Sequence, residues 1–190
     1  MQEKDPGTEG LIDFLSIVGR LKRLPRTGWM EAGIKEPESV ADHSFRTAVL
    51  AMILADLEGL NTDKAMRMAL LHDLAEAKTG DLTPDQKSER GAAYASEERR
   101  ASERILSTLP KALSAAYTSL LVEYNRGESA EALAVARADK LEMLLQALEY
   151  EGESVDKEGL ERFWHTVVDG GLGSELLREL KRRSNLSHEI

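Results

Sequence analysis

Two of the four histidines in this chain of 190 residues sit inside apolar runs of helical spacing. His43 shares a helical face with Thr47, Leu50 and Leu54, and His72 shares one with Ala65, Met68, Ala69 and Glu76. Asp73 follows His72 directly, and Asp139 lies on a stripe with Ala132, Val135, Ala136 and Met143. A carboxylate on such a stripe is costly to bury without a partner. Taken singly, each residue has a structural explanation. A core histidine is commonly just hydrogen-bonded, and an inward Asp139 could pair with Arg46 or Arg137. Taken together, two imidazoles and two carboxylates from three helices form a mixed nitrogen and oxygen donor set that suits a divalent cation. The set does not separate manganese, iron, cobalt, nickel and zinc, or exclude magnesium.

The elements that must position these groups are helices. Leu11, Leu15, Val18 and Leu21 keep helical spacing until Pro25. A non-periodic segment, PRTGWMEAGIKEPESVADHS, follows. Ser39 or Asp42 could cap the His43 helix, which runs to Gly59. Thr62 could cap a helix through DKAMRMALLHDLAEA that Gly80 ends. Neighbours on a helix point about 100° apart. His72 and Asp73 can therefore converge on one ion only near a helix end. TPDQKSERGAAYAS reads as a loop or broken helix, followed by helices over EERRASERILSTL, over KALSAAYTSLLVEY after Pro110, and over ESAEALAVARADKLEMLLQALEYEGE. Two shorter ones follow, around LERFWHTVV and SELLRELKRR. No period-2 run of Val, Ile or Thr is present. The expectation is one all-α domain over residues 1–190, core roughly 10–170, with about seven or eight helices.

Composition narrows the function. The net charge of −9 disfavours polymeric nucleic acid as a partner. A small phosphorylated ligand stays open, because one cation and local arginines can reverse the potential in a pocket. The absence of cysteine removes disulfides, zinc–thiolate sites and cysteine nucleophiles. No signal peptide or apolar run of spanning length is evident, so the expectation is a cytoplasmic protein with no membrane association. Neither a P-loop nor a G-x-G-x-x-G pattern occurs.

The pieces DHSFR, HDLAEAKTGDLTP and ARADKLEMLLQALEYE resemble the HD superfamily of metal-dependent phosphohydrolases, in particular its 5'-deoxynucleotidase branch. The ordered set H…HD…D, with the Glu and Gly-Asp after the HD pair, carries the resemblance over roughly residues 10 to 170. It implies His43, His72, Asp73 and Asp139 as ligands of a divalent metal ion. It implies Glu76 as the catalytic acidic residue, Arg26 as a contact to the 5'-phosphate and Asp81 as a contact to the sugar. Trp29 matches a substrate-binding tryptophan displaced here by Thr27 and Gly28, a spacing similar to that of eukaryotic and archaeal members. The resemblance further implies a nucleotide substrate and a homodimer.

On this scheme the ion polarises a phosphate oxygen and acidifies a bound water. Glu76, one turn from His72, serves as general base toward that water or as general acid toward the leaving oxygen. Two alternatives stand beside it. One keeps the site but takes a triphosphate, a cyclic dinucleotide or guanosine tetraphosphate. The other is a helical module that binds metal or nucleotide without turnover. Glu97 and Glu98 read as a solvated face, or as ligands of a second ion. His165 reads as structural or exposed, and His188 as part of a frayed tail.

Overall fold

A computed structural model describes residues 7–151 and 157–184; His188 lies outside them. The chain runs through α1 (Gly7–Val18), a 3-10 turn (Gly19–Arg23), α2 (Thr27–Glu31), α3 (Val40–Glu58) and α4 (Thr62–Leu71). It continues through α5 (Glu76–Thr79), α6 (Pro84–Leu106), α7 (Lys111–Arg126) and α8 (Ala130–Glu151). The last elements are α9 (Lys157–Glu161), a 3-10 turn (Arg162–His165) and α10 (Gly171–Arg183). The fold is all-α, as the periodicity implies; the described residues hold no strand, only an isolated bridge between Pro25 and Ser39. No helix among them is long and apolar enough to cross a membrane.

The cap chemistry explains the boundaries of α3. The Ser39 side chain accepts the Asp42 N–H, while the Asp42 carboxylate accepts the Ser39 N–H at 3.0 Å, a reciprocal capping box. Gly59 ends the helix in the left-handed region at φ 67°, where a side chain would be strained.

Elsewhere the structure departs from the sequence expectation. The first helix tightens into a 3-10 turn at Gly19 and stops at Arg23, before Pro25 is reached. The segment after Pro25 contains the short helix α2. Asn61, not Thr62, caps α4, its side chain accepting the Lys64 N–H at 3.0 Å. The helix expected through HDLAEA ends at Leu71, and His72–Ala75 form a turn before α5. TPDQKSERGAAYAS, by contrast, is the broken helix that the sequence allowed, interrupted at Gly91, whose φ of 54° no helix accommodates.

The main core joins α3, α4, α8 and α10 around Leu54, Met68, Val135, Leu144 and Leu160, with Trp29 from α2. Full burial of one such side chain contributes about 1.5–3 kcal/mol. Ala48, Ala51 and Ala55 on α3, and Ala134, Ala138 and Ala147 on α8, are all buried. Small residues on both helices keep their axes close, so the short side chains of His43 and Asp139 can meet. A smaller core gathers Leu71, Leu74, Ile105, Leu106, Leu109 and Leu121 behind the His72–Ala75 turn.

Candidate metal centre

The turn after Leu71 solves the geometric problem posed by adjacent donors. Released from helical phase, His72 and Asp73 present Nε2 and Oδ2 to each other at 3.1 Å. From α3, His43 brings its Nε2 to 3.6 Å from the same Asp73 oxygen. From α8, Asp139 places Oδ1 3.1 Å from that His43 nitrogen. Donor atoms of His43, His72 and Asp73 all lie within 4.8 Å of one another. Three of the four residues that the sequence nominates as metal ligands thus bring donor atoms together, and the fourth, Asp139, adjoins them through His43. The alternative partners for Asp139 are engaged elsewhere: Arg46 pairs with Glu142 and Glu149, and Arg137 with Glu58.

The donor set fits a divalent cation. Nε2 of His43 and Nε2 of His72 are both buried without a hydrogen-bond partner. Nδ1 of His72 stands 2.7 Å from the Ala69 carbonyl, which can only accept. The proton of a neutral His72 ring is therefore on Nδ1, and its lone pair is on Nε2, facing Asp73.

The electrostatics have the same sense. Burial and Arg26 push His43 down, but Asp139 and Glu142 outweigh them and raise it to about 10. Burial also lowers His72, and Asp73 reverses the sign. Burial would raise Asp73, yet His72, His43 and Arg26 hold it well below the usual carboxylate range. Three chain segments thus bring two imidazoles and their anionic oxygens together, an arrangement that a divalent charge would complete.

Beside this cluster opens a cleft of about 440 Å³, lined among others by Arg26, Asp73, Glu76, Asp81, Lys87 and Phe163. Arg26 stands at the start of α2, its Nη1 3.4 Å from Asp73 Oδ2 and 3.9 Å from Asp81 Oδ1. The Asp81 carboxylate also accepts the Thr27 N–H, and Thr27 Oγ1 donates to the Asp81 carbonyl at 2.8 Å. Asp81 therefore holds the arginine-bearing strand of chain in place as well as facing the cleft. Trp29 is 1 % exposed; its indole N–H is given to Glu38 at 2.9 Å and its ring packs on Phe163 and Tyr150. It forms the floor of the cleft and leaves little surface for a ligand.

Glu76 is 2 % exposed, with Oε1 3.2 Å from Lys87 Nζ and Oε2 without a partner. Burial first, then the negative charges of Asp73 and Asp81, push its carboxyl up to about 9, against the pull of Lys87 and Arg26.

Sequence reasoning missed Lys87, Glu142, Glu38 and Arg162. Lys87 falls in the segment read as a loop or broken helix, and it reaches Glu98 as well, at 3.4 Å. Glu97 pairs with Arg90 at 2.6 Å. Glu142 had a usable signal: it lies one turn beyond Asp139, between Leu141 and Met143. Arg162 closes the rim by donating to the Gly28 carbonyl at 2.7 Å. His165 is exposed.

Comparison with known proteins places the chain in a family. The model of the HD domain family matches residues 18–169, and the chain belongs to that family. Among curated relatives, 5'-deoxynucleotidase HDDC2 of Bos taurus is 37% identical over 186 residues, covering 95% of this chain and 90% of that protein. Among solved structures, PH0347 protein of Pyrococcus horikoshii OT3 is 33% identical with a TM-score of 0.77, covering 91% of this chain and 99% of that one. A predicted metal-dependent phosphohydrolase of Magnetospirillum magnetotacticum MS-1 is 26% identical with a TM-score of 0.69, covering 92% and 93% of the two chains.

Proposed function

We propose that this protein is a metal-dependent 5'-deoxynucleotidase. Water displaces the 5'-oxygen of a deoxynucleoside monophosphate at phosphorus, and the products are a deoxynucleoside and inorganic phosphate. The observation that carries the proposal is the pair of buried, unpartnered Nε2 atoms facing Asp73 and Asp139 at the end of a cleft that also holds Arg26 and Glu76. The likeness to the bovine 5'-deoxynucleotidase over nearly the whole chain supports the substrate class. His43, His72, Asp73 and Asp139 would hold the ion. Bound there, a divalent cation supplies Lewis acidity toward phosphate and lowers the pKa of water.

The chain's own groups divide the remaining work. The Arg26 guanidinium faces the phosphate position and offers the fork of donors that phosphate oxygens fit. Its orientation is fixed by Asp73 and Asp81. Glu76, held through Oε1 by Lys87, keeps Oε2 for the reacting groups. Its raised carboxyl suits proton donation to the departing 5'-oxygen. Asp81 accepts from the sugar 3'-hydroxyl, and Trp29 with Phe163 bounds the nucleoside end. We read the chain as one HD-type unit acting as a homodimer; exposed Phe45, Ile53 and Leu57 on α3 are apolar surface that a second copy would cover.

The test is phosphate release from dAMP, AMP and an aryl phosphate by purified protein, with cobalt, manganese, nickel, zinc, iron or magnesium added in turn. Turnover of dAMP above AMP, dependent on the added ion, is expected. No release from any nucleotide with any of the ions would overturn the proposal.

A further inference from the structure

α3 and α8 meet along a ladder of polar groups that begins at His43 and Asp139 and continues into residues the chemistry above leaves unused. His43 and Arg46 stand one turn apart on α3; Asp139, Glu142, Gln146 and Glu149 succeed one another, turn by turn, on α8. Asp139 belongs to the donor cluster, and the rest run outward from it. Oε2 of Glu142 meets Nδ1 of His43, and Oε1 accepts from Arg46 Nε at 2.9 Å. Arg46 then donates to Gln146 at 2.6 Å and to Glu149 at 2.7 Å. Glu142 and His43 are both 0% exposed.

A carboxylate buried this deeply costs several kcal/mol of desolvation, which apolar packing would avoid. Leu141 and Leu144 flank it, so an apolar side chain at the same position would extend an existing core. The contact it makes explains the charge. An ionised carboxylate only accepts, so the proton between Glu142 and His43 belongs to Nδ1. The lone pair of a neutral His43 ring is then on Nε2, the atom that faces Asp73 and Asp139. Arg46 occupies the other carboxylate oxygen and prevents the group from turning away.

We infer that Glu142, locked by Arg46, is a positioning residue that fixes the ring orientation and the donor nitrogen of His43 for the bound cation. The inference rests on the metal-centre reading above. His72 receives the same service from a backbone carbonyl, whereas the His43 ring takes it from a side chain. The His43 half of the site is therefore the half that one substitution can detune.

The experiment is calorimetric titration of zinc chloride into metal-free wild type, Glu142→Gln and Glu149→Ala. A glutamine has one oxygen to offer to His43 or to Arg46, not both. Wild type is expected to bind one ion, Glu142→Gln to bind about 10–100-fold more weakly, and Glu149→Ala to stay within about twofold. In the zinc-loaded wild type, nitrogen-15 spectra of the histidine rings are expected to show the His43 proton on Nδ1. Equal affinity of Glu142→Gln and wild type would overturn the inference and leave the metal centre standing; a His43 proton on Nε2 would remove His43 from the donor set and overturn both. Wild type that binds no zinc would overturn the metal centre and this inference with it. Should Glu142→Gln not fold, the wild-type spectrum decides alone.

Discussion

Nζ of Lys87 lies 3.2 Å from Oε1 of Glu76, so the buried carboxyl at the head of the cleft has a cation on one oxygen and nothing on the other. Lys87 is one of two influences that lower the Glu76 pKa against burial, Asp73 and Asp81. Removing it as Lys87→Met should raise that pKa further. The limb of the pH–rate profile set by Glu76 should therefore move to higher pH, in a protein that still binds the metal. A limb that stays in place or moves toward acid would contradict the assignment.

Glu76→Gln keeps the shape and removes the transferable proton. Loss of general acid–base catalysis predicts a fall in kcat of about 10²–10⁴-fold, with cation affinity little changed. Single-turnover assays at saturating dAMP would read the first, and calorimetry the second. Retention of more than a tenth of wild-type kcat would argue that the proton goes elsewhere.

Arg26 is placed to test recognition of phosphate. A charge-assisted contact is worth about 1.5–3 kcal/mol, so Arg26→Ala should lower kcat/KM for dAMP by roughly 10–150-fold. Arg26→Lys should recover little of it, because a point charge lacks the guanidinium fork. Full recovery by lysine would reduce the role of Arg26 to net charge.

Metal removal should be visible in stability as well as activity. An ion bound only by the folded chain adds about 4 kcal/mol at a thousand times its Kd, so chelation should lower Tm and re-addition restore it. Asp139 and Glu142 raise His43, and Asp73 raises His72, so the metal-free site carries protons near neutral pH that binding must displace. Apparent affinity should fall as pH drops from 8 to 6, with proton release seen as a buffer-dependent heat. A pH-independent affinity would count against imidazole ligands.

Glu38 supplies a separate pH dependence. Burial, then the charge of Glu142, pushes its carboxyl up to about 7 from an ordinary value of 4.5. An acid whose folded pKa is raised favours the folded state in its protonated form. Its contribution is therefore fully present below pH 4.5 and is lost as pH rises toward 7. At 1.36 kcal/mol per unit the loss is on the order of 3 kcal/mol at most. Glu38→Gln still accepts the Trp29 N–H and cannot ionise. Denaturation of the two proteins from pH 4.5 to 7.5 should diverge, the variant being the more stable at the upper end. Parallel curves would refute the account.

The sequence made some of this visible and hid the rest for identifiable reasons. Ser39, Asp42 and Gly59 act within a few residues of themselves, so the limits of α3 could be read directly. Apolar stripes around His43, His72 and Asp139 showed which way those side chains turn. The break after Leu71 left no local mark, since HDLAEA has good helix formers; packing of Leu71 and Leu74 into the smaller core decides it. Lys87 was lost because Gly91 interrupts its helix and obscures the periodicity. Glu142 showed only as a charge one turn beyond Asp139; its partner lies 99 residues away, and no window along the chain contains both.

The His72–Ala75 turn joins two bodies of apolar packing that share few side chains. His43, Asp139 and the helix leading into His72 belong to the larger, while Leu71 and Leu74 tie the Asp73–Glu76 stretch to the smaller. The nominated donors therefore draw on both bodies, and their spacing depends on how the two are seated on each other. A cavity made at Ile105 or Leu121 should therefore shift Asp73 and Glu76 before it shifts His43 and Asp139.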